Sequence, residues 1–353
     1  MQHNSGTALI RPTEDSSAFD IDDAEITAWL SALDIACTSP VQAARIGIGQ
    51  SNLTFLLTDA DERRWILRRP PLGHLLASAH DVAREARIVS ALEPTNVPVP
   101  RILDVRHEGE TALVLMEYVD GLVVDRMDSA VQLTAEQRRT TAIALVRTLA
   151  RIHAVDLAAT GLIDLASHKP YARRQLKRWS DQWKRSKTRQ LPPLDRLTER
   201  LLAAVPEQRE LTLVHGDFNL RNVIVAPATS DIAAVLDWEL CTLGDPLADI
   251  GSLLAYWPTV GEPTIAGLEI CTLPGFPVRE ELIEEYLTIT GRDRRALGFW
   301  HALGLWKLAI IAEGVFRRAL DDPRNRAAAG TPTRELVEGL IDTADRVATE
   351  AGL

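Results

Sequence analysis

The chain has 353 residues, 46 % of them hydrophobic and 25 % charged, and a net charge of −10 from 39 basic and 49 acidic side chains. That length suits one large or two modest domains, and the composition excludes a wholly disordered protein. Three dispersed cysteines, Cys37, Cys241 and Cys271, exclude a disulfide framework or a cysteine-rich zinc site.

Residues 1–21 are polar and are expected to be flexible. Asp22 is placed to start a helix carrying Ile26, Trp29 and Leu30. The period then turns strand-like: 44–49, 53–58 and 64–69 predict three strands, the first two joined by a glycine-containing turn. A helix follows over 79–92, with Val82, Ala86 and Val89 at i, i+4 and i+7. Two more strands, 101–106 and 112–117, come after the rigid Val97-Pro-Val-Pro. This sheet with its helix makes an N-terminal unit over 22–116, with a connection at 117–121. Residues 122–353 read as mainly helical. Thr134-Ala-Glu-Gln is a capping box ahead of the stripe Ala142, Leu145, Leu149 and Ile152. Helices are predicted over 170–185, 280–288, 296–320 and 333–350, with a β-type interruption at 211–236. The most apolar stretch, 298–320, is broken by Lys307, Glu313 and two arginines, which argues against a membrane span. The first residues lack the basic start and apolar run of a secretory signal, so a cytoplasmic chain is expected.

The chemistry is concentrated in Leu213-Val-His-Gly-Asp-Phe-Asn-Leu-Arg-Asn-Val-Ile-Val, followed by Ala233-Ala-Val-Leu-Asp-Trp-Glu. A buried strand delivers His215 and Asp217 into a loop over 213–239. Asn222 follows five residues after Asp217, and a returning hairpin sets Asp237 at a strand end. Either motif alone suits turn and capping residues. Both together, in this order, supply what phosphoryl transfer needs: a carboxylate to orient and deprotonate a hydroxyl, and hard oxygen ligands for Mg²⁺.

These motifs, with Gly244-Asp-Pro-Leu-Ala-Asp-Ile-Gly, resemble the aminoglycoside- and choline-kinase-like phosphotransferases over roughly 41–320. The resemblance implies an α+β, bilobal protein-kinase-like fold: a small antiparallel-sheet N-lobe with one helix, and a larger, mainly helical C-lobe. It implies ATP and Mg²⁺, Asp217 as catalytic base, and Asn222 and Asp237 as metal ligands. His215 and Asp249 become structural supports of the catalytic loop. In the N-lobe, Gly47-Ile-Gly-Gln-Ser-Asn sits where backbone N–H groups cover phosphates, with Gly47, Gly49, Ser51 and Asn52 the nearest. The third strand supplies a phosphate-binding cation paired to Glu85. It is Arg68, where most kinases have lysine, because Trp65 and Leu67 share the opposite face. The same resemblance sets adenine against the backbone of Glu117 and Val119, with Met116 behind it.

The acidic total hides a basic segment. Between 169 and 189 lie nine basic residues and one acid, a local +8 against −18 elsewhere. It is either a solvated face above packing tryptophans or a surface that captures an anionic substrate, with Arg173, Arg174, Lys177 and Arg178 the candidate contacts. A polycationic antibiotic suits it poorly. The overall pattern looks most like the kinase-like domain found fused to or beside acyl-CoA dehydrogenases. That likeness implies a hydroxyacyl-CoA acceptor and an acyl-CoA dehydrogenase as functional associate. An aminoglycoside, macrolide or amino-alcohol kinase stays open as an alternative, as does a pseudokinase that only binds. Nucleic acid is not expected as a partner, since no aromatic-basic module occurs.

Overall fold

A computed structural model of the protein describes residues 22–46, 52–70, 81–108, 111–322 and 330–353. The chain divides into two compact units. The described residues up to Val123, with Ile224–Ala226 and Ala233–Glu239, form the first, and the remainder forms the second.

The first unit begins with α1 (Asp23–Ala32), capped where the Asp22 carboxylate accepts the Ala24 N–H at 2.8 Å. Five antiparallel strands follow: β1 (Gln42–Ile46), β2 (Leu53–Thr58), β3 (Arg64–Arg69), and, after helix α2 (Val82–Leu92), β4 (Ile102–Glu108) and β5 (Thr111–Glu117). They lie in the order β1-β2-β3-β5-β4. Alternation along the strands gives the sheet two apolar faces. Phe55, Leu57, Leu67, Leu113 and Leu115 pack on Ile26, Trp29 and Leu30 of α1. Ala112 and Val114 pack on Val82 and Ala86 of α2. Each such buried side chain contributes about 1.5–3 kcal/mol. Helix α2 starts at Val82, because Asp81 caps it by accepting the Arg84 N–H. β1 ends at Ile46, so the turn glycines Gly47 and Gly49, and Ser51, lie outside the described residues.

The second unit contains α3 (Met127–Ala130), α4 (Ala135–His153), α5 (Tyr171–Ser186) and α6 (Pro192–Ala203). The Thr134–Gln137 capping box opens α4 as its sequence suggests. Helix α6 is an element the hydrophobic pattern did not suggest, although Pro192 and Pro193 at its first turn are a start signal. Next come β6 (Thr212–Val214) and β9 (Thr242–Gly244), which pair; between them in the chain lie the paired β7 (Val223–Val225) and β8 (Ile232–Val235), most of whose residues belong to the first unit. The unit closes with α7 (Leu247–Ala255), α8 (Arg279–Thr290), α9 (Leu297–Asp321) and α10 (Arg334–Glu350). Helix α9 is, among the described residues, the one helix long and apolar enough to cross a membrane, and 72 % of its most apolar window is buried inside the protein. It meets α7 at glycines. A Cβ on Gly251 would lie 2.3 Å from the Trp300 carbonyl carbon, and one on Gly304 would lie 2.7 Å from the Gly251 oxygen.

The division of the chain departs from a simple break at 117–121. Val225 and Val235 of the β7–β8 hairpin bond within the first unit: Leu122 and Val225 exchange backbone hydrogen bonds at 2.8 and 2.9 Å, and the Val235 N–H reaches the Pro98 carbonyl at 2.8 Å. Asp237 therefore belongs to the first unit, whereas Asp217 and Asn222 belong to the second.

Candidate active site

In the first unit the polar centre is Arg68. Its position on β3 opposite Thr54 and Val114 sets it on the α2 face of the sheet. Nε donates to Glu85 Oε2 at 2.9 Å and Nη2 to Asp237 Oδ1 at 2.7 Å, while Nη1 reaches Thr54 Oγ1 at 3.4 Å. The Arg68–Glu85 pairing thus has the geometry its sequence positions suggest. Burial opposes the charge on Arg68, but Glu85 and Asp237 outweigh it and hold the guanidinium pKa above its ordinary value. Burial likewise pushes the Glu85 carboxyl up, against the pull of Arg68. Glu85 Oε1 also accepts the Trp238 N–H at 3.3 Å, which ties α2 to the Asp-Trp-Glu turn. Asp237 itself adopts a left-handed backbone, φ 64°, a conformation aspartate tolerates better than most residues. Among the described residues its second carboxylate oxygen takes no hydrogen bond, and it is the atom a cation would meet.

Asn52 opens β2 with its side-chain amide buried and both polar atoms lacking a partner among the described residues. Its Nδ2 is a donor of the kind a phosphate oxygen accepts from. Met116 packs against the Val82–Ala86 cluster. The Glu117 carboxylate accepts the Arg101 N–H at 2.8 Å, so its side chain is structural. Val119 lies two residues beyond the end of β5.

In the second unit β6 delivers His215, Gly216 and Asp217 onto a loop bound by Asp249 of α7. Asp249 accepts the N–H of His215 at 2.7 Å and of Gly216 at 2.9 Å. His215 braces the same loop, its Nδ1 accepting the Asp217 N–H at 3.3 Å. Gly216 needs its φ of +85°, and a Cβ there would lie 2.8 Å from the Leu240 oxygen. Behind Asp249, Arg292 donates to the Tyr286 oxygen at 3.1 Å. His153 joins Tyr286 at 2.6 Å and Asp249 at 3.2 Å. Because Arg292 is only a donor, the chain runs Arg292 to Tyr286 to His153 to Asp249, with the imidazole proton on Nε2. Burial pushes the His153 pKa down and keeps it neutral. Burial would raise the Asp249 carboxyl, but the donors around it hold its pKa below the usual value.

Asp217 has both carboxylate oxygens fixed. Tyr256, at the end of α7, donates to Oδ1 at 2.7 Å, and Asn222 Nδ2 donates to Oδ2 at 3.1 Å and to the Asp217 carbonyl at 2.8 Å. Burial and the adjacent Asp217 charge raise the Tyr256 phenol well above 10, so it stays a donor. The Asn222 bonds run through nitrogen, which leaves its harder atom, Oδ1, for a cation. Asn222 of the second unit and Asp237 of the first each present an oxygen of the hard kind that Mg²⁺ prefers. Lys307 of α9 donates to the Gly216 carbonyl at 2.8 Å.

Tyr256 and Lys307 were not apparent as site residues from sequence. Tyr256 stands seven residues after Asp249 and so shares its helix face. Lys307 is a lone lysine in an apolar helix, noticed above only as a break in hydrophobicity.

The basic segment is partly neutralised where it sits. Arg174 is turned inward to the Leu243 carbonyl at 2.5 Å and the Lys169 carbonyl at 3.1 Å. Lys177 pairs with Asp181 at 2.9 Å, and Arg189 with the buried Glu313 at 2.9 Å. Arg173 and Arg178 remain exposed, with Arg178 over the Trp179 ring at 5.6 Å.

The family model described as "Phosphotransferase enzyme family" (APH) matches residues 42–298. Acyl-CoA dehydrogenase family member 10 of Mus musculus is 36 % identical over 322 residues, 89 % of this chain and 30 % of that protein. Acyl-CoA dehydrogenase family member 11 of Rattus norvegicus is 36 % identical over 280 residues, 77 % of this chain and 36 % of that protein. The chain thus spans about a third of the length of these curated relatives. Among solved structures, a putative aminoglycoside phosphotransferase from Ralstonia eutropha JMP134 is similar with a TM-score of 0.73 and 28 % identity, covering 92 % of this chain and 98 % of that one. The small antiparallel sheet and mainly helical remainder are those of this kinase-like fold.

Proposed function

We propose, given that the chain belongs to the APH phosphotransferase enzyme family, that it transfers the γ-phosphate of ATP to a hydroxyl of an anionic small molecule, most specifically a hydroxyacyl-CoA. The observation that carries the transfer reading is Asp217, a carboxylate clamped by Tyr256 and Asn222 on a loop anchored to Asp249. Such a group is oriented in advance, which is the main service a protein offers to a loose phosphoryl-transfer transition state. Asp217 holds the acceptor hydroxyl in line. As the acceptor oxygen bonds to the γ-phosphorus, the bond to the β,γ-bridging oxygen breaks, the hydroxyl proton passes to Asp217, and ADP leaves. Arg68 and Asn52 orient the phosphates. Asn222 Oδ1 and Asp237 would each offer a ligand oxygen to Mg²⁺, which would neutralise phosphate charge.

The acceptor assignment rests on Arg173 and Arg178, two of the exposed cations of α5, and on the names of the relatives. The same names favour work beside an acyl-CoA dehydrogenase. Each charge-assisted contact to a CoA phosphate contributes roughly 1.5–3 kcal/mol. The competing reading, a nucleotide-binding module without turnover, draws on Arg68 already occupying Asp237 Oδ1. An ADP-release screen of hydroxyacyl-CoAs, aminoglycosides and amino alcohols tests the acceptor. Hydroxyacyl-CoA is expected to give the highest kcat/KM, with Arg173→Ala/Arg178→Ala weakening it; an aminoglycoside as best acceptor would overturn the assignment.

A further inference from the structure

One cavity of the second unit borders the catalytic loop only through Lys307, and its space is not used by the transfer described so far. It is lined by Tyr171, Gln175 and Trp179 of α5, Ser252 of α7, and Trp300 and Lys307 of α9, is partly open to solvent, and offers about 20 Å³. That is room for a single water-sized atom. Two donors border it with capacity to spare. Lys307 uses one N–H on the Gly216 carbonyl and lies 5.4 Å from the Trp179 ring centre, and an ammonium has three N–H groups and no acceptor. The indole N–H of Trp300 is buried without a partner among the described residues. Lys307 and Trp300 thus bring N–H groups to spare to a wall made largely of the Tyr171, Trp179 and Trp300 rings.

We propose that this cavity receives one acyl oxygen of the acceptor, with Lys307 as the specificity-determining residue and the Trp300 N–H as second donor. The inference rests on the transfer reading and deepens it, by assigning which part of the acceptor is recognised. Size decides against a phosphate, whose three free oxygens exceed a one-atom cavity. Place decides in favour of the acceptor: Lys307 holds the carbonyl of Gly216, the residue before Asp217, so an oxygen bound there lies beside the base and aligns a hydroxyl farther along the same acyl chain. Burial lowers the Lys307 pKa, against the pull of the nearby Asp217 and Asp249 carboxylates. A thioester carbonyl and a free carboxylate share this chemistry.

The test is binding, read by titration calorimetry or by tryptophan fluorescence. The ligands are an acyl-CoA without a hydroxyl, its thioether analogue lacking the carbonyl, and the corresponding free acid. The wild type is expected to bind the thioester at least tenfold more tightly than the thioether. The ratio is expected to fall below twofold in Lys307→Met and to persist in Lys307→Arg. Tighter binding of the acid than of the thioester would assign the site to a carboxylate. Equal wild-type affinities for thioester and thioether, or an undiminished ratio in Lys307→Met, would overturn the proposal. If Lys307→Met does not fold, Trp300→Phe leaves the Lys307–Gly216 bond in place and is expected to lower the same ratio. A retained binding ratio without phosphorylation of a hydroxyacyl thioester would sink the transfer reading and leave the oxygen site standing.

Discussion

Replacing Arg68 by methionine isolates the first-unit charge cluster. The arginine and Glu85 side chains are only 16 % and 8 % exposed, while Asp237 is 35 % exposed and can turn to water. The loss therefore falls on Glu85, left buried and unpaired. Breaking such a pair costs about 3–5 kcal/mol, equivalent to a Tm fall of roughly 6–20 °C for a domain of 150–250 residues. Burial already raises the Glu85 pKa above 4.5, against the pull of Arg68, and without Arg68 it rises further. A carboxyl whose folded pKa exceeds its unfolded one contributes stability that is full below the unfolded value and lost as pH rises through the folded value. Arg68→Met is thus expected to lie nearest the wild type at the acidic end and to fall increasingly behind towards pH 8. Arg68→Met/Glu85→Gln should recover part of the loss and show a deficit that varies little with pH. Thermal melts of the three proteins from pH 5 to 8 make the measurement. A deficit independent of pH in Arg68→Met, with no recovery in the double variant, would refute the reasoning.

Tyr256→Phe removes one hydrogen bond to a charged group, worth about 1.5–3 kcal/mol. If the bond matters fully in the transition state, kcat should fall by about 10–150-fold, with the nucleotide KM within about twofold; steady-state ADP release checks the split, and an unchanged kcat would remove Tyr256 from the site. Gly251→Ala places a methyl group 2.3 Å from the Trp300 backbone and is expected to cost at least 1–3 kcal/mol, the usual range for overpacking. Because that wedge also shifts the helix carrying Lys307, activity measured well below the new Tm should fall as well.

What the sequence made legible was local. Asp217 to Asn222 is a five-residue span, the strand alternation of Phe55 and Leu57 is visible by eye, and Thr134 and Gln137 announce their own cap. The pairing of Arg68 with Glu85 could be reached because strand and helix follow each other in the chain. The rest depends on packing between distant segments. Tyr256 reaches Asp217 across 39 residues and Lys307 reaches Gly216 across 91, and nothing in their immediate neighbours encodes the approach. It is the glycine contact between α7 and α9 that permits it. The +8 segment shows the converse error: a run of charge is plain in the sequence, but Arg174 and Arg189 turn inward to a backbone carbonyl and a buried glutamate, partners 69 and 124 residues away.

The central claim, that Asp217 serves as the base of a phosphoryl transfer to a hydroxyl, is met most directly by following label from γ-labelled ATP into a hydroxyacyl-CoA with the wild type and Asp217→Asn. Nucleotide affinity is measured alongside. The account predicts labelled acceptor with the wild type, a loss of about 10²–10⁴-fold in Asp217→Asn, and nucleotide binding within about threefold. Transfer at the wild-type rate by Asp217→Asn, or no transfer by the wild type to any hydroxyl acceptor, would contradict it.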